Sequence, residues 1–159
     1  MSGSAPANPR IVKALVWGFV LAAIAVTVWG FFVVGDARRV AAQTDREVRA
    51  AAWLVLVAAD RGGTMPRSDG DLLEASAALP DSIAGDAEFR WPAKAIDAGL
   101  EPGEENVDWT EAFDRVRVVF AEDRPPKVTV VGLPTRNGTL DEVNGWIESW
   151  ADANAGEAR

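Results

Sequence analysis

The residues best equipped for chemistry in this chain are acids. Asp60, Asp69, Asp71 and Glu74 gather around a glycine-bearing turn, and carboxylate oxygens are the ligands that Ca²⁺ and Mg²⁺ take. Their spacing does not follow the alternating ligands of a calcium loop. Ser68-Asp69-Gly70-Asp71 instead reads as a helix N-cap followed by first-turn acids, which the helix dipole favours. Glu101, Glu104, Glu105 and Asp108 flank Pro102-Gly103 and read as a solvated acidic loop. A carboxylate-pair hydrolase needs two acids of opposed protonation in one cleft, and nothing in the order of these residues selects a pair.

Absences narrow the chemistry further. The chain has no His and no Cys, which removes Ser-His-Asp catalysis, thiol nucleophiles, disulfides, iron–sulfur ligation and the usual zinc sets. Tyr is missing as well. No catalytic, cofactor-binding or metal-binding residue is therefore expected, and the sequence points away from an enzyme. Trp91, Trp109, Trp146 and Trp150 are either binding aromatics or core packing, and core packing is the expectation for a small domain. Asn137-Gly138-Thr139 matches a glycosylation triplet, but the same residues make a turn and a helix cap.

The elements that must position these residues begin with a charge-free apolar run from Ala14 to Gly35. At ~1.5 Å per residue a helix of this run covers ~33 Å, enough for the ~30 Å core of a bilayer. Helix is the form that satisfies every backbone group in lipid. Thr27 can return its hydroxyl to the preceding turn, and Trp17 and Trp29 are spaced to reach opposite headgroup regions. Gly18, Ala22 and Ala25 place small residues on one face, as close helix–helix contacts require. The run exceeds the ~7–15 apolar residues of a signal core, so retention as an anchor is expected. Arg10 and Lys13 precede it, while Arg38, Arg39, Arg46 and Arg49 follow. Taken alone, that Lys and Arg distribution places the C-terminal side in the cytoplasm.

All 24 acids and 14 of the 16 basic residues follow Gly35, a net charge of −10 (14 − 24). Such a surface repels phosphate backbones, so nucleic acid is not an expected partner. The layout expected is a short tail over 1–13, a transmembrane helix over 14–35, an α+β domain over 36–152 and a disordered tail over 153–159. The helix continues past Asp36 to about Asp60. Its first half is amphipathic, with Arg39, Asp45, Arg46 and Glu47 left to water. Residues 51–59 are apolar all round, too short to cross a bilayer and suited to a helix enclosed by other elements. Gly62-Gly63 ends it. A short helix follows Ser68, and a strand is expected over 87–91. Arg115–Phe120 and Lys127–Val131 read as hairpin strands joined by a loop holding Pro125 and Pro126 outside the ladder. Thr139-Leu140-Asp141-Glu142 reads as a capping box opening a final helix with a Val143, Trp146, Ile147, Trp150 stripe.

A span running into a long helix, then Gly63-Thr64-Met65-Pro66-Arg67-Ser68-Asp69-Gly70-Asp71-Leu72-Leu73, then a small antiparallel sheet, resembles pilin-like proteins. The nearer likeness is to the pseudopilins of type II secretion. Prepilin processing uses a Gly before an aromatic or Met residue and a Glu at the fifth mature position. Here Ala7-Asn8-Pro9-Arg10-Ile11 precedes the span and no Glu comes before Glu47, so the resemblance implies an unprocessed relative. It implies an anchored structural or interaction protein with its domain on the extracytoplasmic side. Other membrane or envelope proteins would be its partners, with homo-oligomers open to it. The alternative is a membrane-tethered module that binds a soluble protein or a cell-wall ligand.

Overall fold

The computed structural model describes residues 9–85, 88, 90–105, 107, 109–112 and 115–155. Its elements are α1 (Pro9–Gly62), α2 (Asp69–Ser76), a 3₁₀ turn (Ala95–Ala98), α3 (Trp109–Ala112), β1 (Val116–Ala121), β2 (Arg124–Val130) and α4 (Thr139–Asn154). This is the α+β layout expected: a long N-terminal helix, a small antiparallel sheet and a C-terminal helix. The chain divides into two compact units, residues 1–39 and 40–159.

The first unit is helical from Pro9 onward. Every described side chain from Arg10 to Arg39 is exposed, apolar ones included, with only Gly30 partly covered. The Thr27 hydroxyl donates to the Ala23 carbonyl at 2.8 Å, closing its polar group inside the helix. This helix is long and apolar enough to cross a membrane.

The second unit is built around the C-terminal half of α1. Ala50 through Val57 are buried without a break, because a stretch that is apolar on every face has no side to give to water. Trp53, Leu54 and Leu56 are each at most 1% exposed, and full burial of such side chains is worth ~1.5–3 kcal/mol apiece. Leu72 and Ala75 of α2, Val116 and Val118 of β1, Val128 of β2, and Val143, Ile147 and Trp150 of α4 join the same core. Gly63, at φ 65°, supplies the left-handed residue that stops α1. Arg61 then donates to the Ala75 and Ala78 carbonyls at the end of α2, joining the two helix ends.

The two strands pair antiparallel, with Arg117 opposite Thr129, Val118 opposite Val128 and Val119 opposite Lys127. The connection is tighter than the sequence implies. Ala121 faces Arg124 across a turn at Glu122-Asp123, and the prolines lie inside β2. They are tolerated there because the register slips between Val119 and Ala121, and a bulge removes the ladder bond a proline cannot donate. The strand expected over 87–91 falls in part outside the described residues, and Arg90 and Trp91 form a bend. The 3₁₀ turn and α3 lie in a stretch where the sequence carries no clear period.

Helix α4 opens one residue earlier than expected. Its N-cap is Gly138, at φ 90°, and no side chain caps it. Thr139 is a buried helical residue and the capping box does not form, since a box needs the hydroxyl at the cap itself. The helix runs through Asn154, two residues past the expected end of the domain.

Asn144 ties α4 to the sheet. Its Oδ1 accepts the Val128 N–H at 2.8 Å, and its Nδ2 donates to the Val128 carbonyl at 3.0 Å and to the Leu140 carbonyl at 2.8 Å. Val128 and Val118 are thus a non-hydrogen-bonded pair of the ladder, and the side-chain amide stands where a neighbouring strand would. Replacing Asn144 by Leu keeps the volume and strands both Val128 backbone groups. The full chain in detergent should lose about 2–4 kcal/mol of stability in urea unfolding. An unchanged midpoint would show that those groups find other partners.

Candidate functional site

Asp45, Arg46, Glu47 and Arg49 occupy little more than one turn of α1, and each reaches a different later segment. Successive helix residues turn ~100° around the axis, so four near neighbours point to several sides. Asp45 Oδ1 accepts the Arg136 N–H at 2.9 Å while Oδ2 lies 3.3 Å from the Arg136 guanidinium. Arg46 Nε is 3.1 Å from Glu104 Oε1. Glu47 Oε1 takes Arg115 at 2.9 Å and Gln43 Nε2 at 3.1 Å. Arg49 grips Glu142 through Nη1 at 3.2 Å and Nη2 at 2.6 Å, and Nη1 also donates to the Ala98 carbonyl at 3.1 Å. Its guanidinium carbon lies 5.6 Å from the Trp146 ring centroid.

The sequence reading leaves Asp45 and Glu47 to water, and the structure corrects it: they are 6% and 7% exposed. Arg39 and Arg46 remain exposed as expected. The burial follows from partners far along the chain, Arg136 91 residues on for Asp45 and Arg115 68 residues on (115 − 47) for Glu47. No local period records such pairings. The Glu47 Oε2 oxygen and the Trp53 indole nitrogen are buried without a hydrogen-bond partner.

The acids singled out by sequence separate into different roles. Ser68 caps α2: its hydroxyl accepts the Asp71 N–H at 3.3 Å, and Asp71 Oδ2 accepts the Arg67 and Ser68 N–H groups at 2.7 and 3.1 Å. The hydrogen bond from the Arg67 N–H lowers the Asp71 carboxyl pKa from its ordinary value; desolvation opposes it, and the Ser68 hydroxyl and N–H and the Arg67 charge add to the lowering. Asp71 and Glu74 line an open groove of about 630 Å³ with Arg61 and Arg67. Asp60 belongs to another groove, of about 530 Å³, with Trp91, Trp150 and Asn154, and its Oδ1 accepts the Ala84 N–H at 3.1 Å. Asp69 is exposed on the first turn of α2.

In the acidic loop, Glu104 and Glu105 are half-buried and accept the Glu101 and Gly103 N–H groups, both at 2.9 Å. The loop thus holds its own backbone and is not simply solvated, while Glu101 is exposed; Asp108 lies outside the described residues. Among the described residues no three acids converge as a metal would require.

Trp91, Trp109 and Trp150 are buried, in keeping with core packing, and the Trp91 N–H donates to the Ala84 carbonyl at 3.1 Å. Trp146 is half-buried, under Arg49. Asn137 is exposed at the turn before α4. Comparison with protein-family models, with curated proteins and with solved structures finds no match to this chain.

Two outcomes follow from these contacts. Arg115→Ala leaves the 9%-exposed Glu47 side chain without its cation and should cost about 2–3 kcal/mol. Arg46→Ala breaks a pair whose arginine is 58% exposed and should cost under about 1 kcal/mol. Urea unfolding of the two full-length variants gives the order, and equal losses would contradict it.

The second outcome concerns pH. Because the folded Asp71 pKa is lowered, its contribution is complete above the ordinary carboxylate range and lost as pH falls through the lower folded value. Asp71→Asn should flatten that acid limb of the stability curve, and a limb of unchanged steepness would count against it.

Proposed function

We propose that this chain is a single-pass membrane protein whose acidic α+β domain is a structural or interaction module of an envelope or secretion assembly. The observation that carries the reading is the exposure of the first unit. Leu15, Phe19, Trp29, Phe31 and Phe32 stand 68–77% exposed on a helix with no apolar partner among the described residues. A helix apolar on every face belongs in a protein interior or in lipid, and no interior receives this one. The second unit, by contrast, closes its own core, ties the charged turn Asp45–Arg49 to later segments and leaves most of its other charged residues exposed. Such a domain offers surface for recognition and little for chemistry. The resemblance of the sequence to pilin-like proteins, through the order of its elements and residues Gly63 to Leu73, is the support for an extracytoplasmic domain with membrane or envelope proteins as partners.

A second reading is a tethered binding module, favoured by the groove that Asp60, Trp91, Trp150 and Asn154 line. Aromatic edges beside a carboxylate and an amide suit a polar ligand with apolar faces, such as a glycan.

The chain should stay with membranes through alkaline carbonate washing, and release into the supernatant would refute the span. Protease added to intact spheroplasts should remove a C-terminal epitope without lysis, whereas protection would put the domain in the cytoplasm. Crosslinking in intact membranes should give adducts with other membrane proteins. A monomer in mild detergent that forms no adduct would refute the assembly role.

A further inference from the structure

We propose that Arg38 and Arg39 form a headgroup clamp at the end of the apolar segment, taking the phosphates of anionic phospholipids. The inference rests on the membrane reading above and names the lipid class that reading leaves open.

Both side chains are exposed, and neither makes a hydrogen bond or ion pair with a described residue. That sets them apart from Arg46, Arg49, Arg115 and Arg136, each held by a carboxylate of the second unit. Arg38 and Arg39 follow the last apolar residue of the run, Val34, by four and five positions. On a helix that is ~6–8 Å beyond the hydrocarbon, and the headgroup layer on each side is ~5–8 Å deep. The guanidinium groups therefore sit at phosphate depth, and the ~100° between neighbouring residues gives each its own lipid. Arginine suits the role because its planar fork meets two phosphate oxygens at once. Asp36 is the acid nearest them and pairs with neither. The rest of the chain beyond Gly35 is strongly acidic and is repelled by an anionic surface, so these two cations supply the local attraction.

The test uses the full chain reconstituted into phosphatidylcholine vesicles containing a minor fraction of phosphatidylglycerol. Spin-labelled lipids of each headgroup report the share held at the protein. The phosphatidylglycerol label should be held preferentially, with about fivefold in relative association lost per arginine in Arg38→Gln and Arg39→Gln. The double variant should lose both contributions and keep only what Arg10 and Lys13 hold at the other end of the run, and Arg38→Lys with Arg39→Lys should retain most of the preference.

Arg117→Gln removes the same charge from the exposed face of β1 and should leave the preference intact. If it lowers the preference as much, net charge and not position is responsible, and the clamp is overturned. Equal holding of both labels by the unaltered chain, or a preference that survives undiminished in the double Gln variant, also overturns it. Inorganic phosphate that abolishes the preference, where chloride of equal ionic strength does not, would assign the site to free phosphate and not lipid. Failure of the chain to float with pure phosphatidylcholine vesicles would overturn the membrane reading itself. A chain that floats but shows no preference overturns the clamp alone.

Discussion

The second unit exists to enclose one stretch of helix. Ala50 to Val57 are buried around the full circumference of α1, and no single layer can cover a cylinder on all sides. The chain therefore surrounds it with α2, the connecting segments, the hairpin and α4, whose apolar residues belong to the same cluster. This explains why so short a sheet suffices. A two-stranded hairpin is marginal alone, but here it is one panel of a sheath whose stability comes from the enclosed helix.

Hydrophobic enclosure is non-directional, so something else must fix which panel lies where. The charged turn from Asp45 to Arg49 does this, immediately before the apolar run. Its four side chains meet the acidic loop, the start of β1, the segment before α4, and α4 itself. Their energetic weights differ with exposure. The Glu47–Arg115 pair has a buried carboxylate, whereas the Arg46–Glu104 pair is mostly in water. Specificity of arrangement is the better description of their joint role than bulk stability.

What the sequence discloses divides along the same line. The apolar run, the all-round apolar helix, the glycine stop, the Ser68 cap and the two β-branched strands are legible because each is a local pattern with its own period or chemistry. The burial of Asp45 and Glu47 is not, because its cause lies in arginines some 70 to 90 residues away. The failed cap at Thr139 has a related reason. The motif is correct in composition, yet the turn places Gly138 at the cap and frees Glu142 to meet Arg49. The prolines of β2 illustrate a third case, where a bulge turns an apparent strand breaker into a strand residue. Among the candidate acids, Asp71 is legible as a cap, while the separation of Asp60 from Asp71 and Glu74 requires the path of the connecting chain.

The amide of Asn144 has a consequence for how this protein can associate. It occupies the backbone groups of Val128 on the outer side of β2, so a strand arriving there would first have to evict a buried side chain. Val118, across the ladder, directs its own backbone groups away from β2 and engages no described residue with them. The outer side of β2 is consequently closed to a further strand at Val128. A strand edge closed in this way is protection against edge-to-edge growth into fibres.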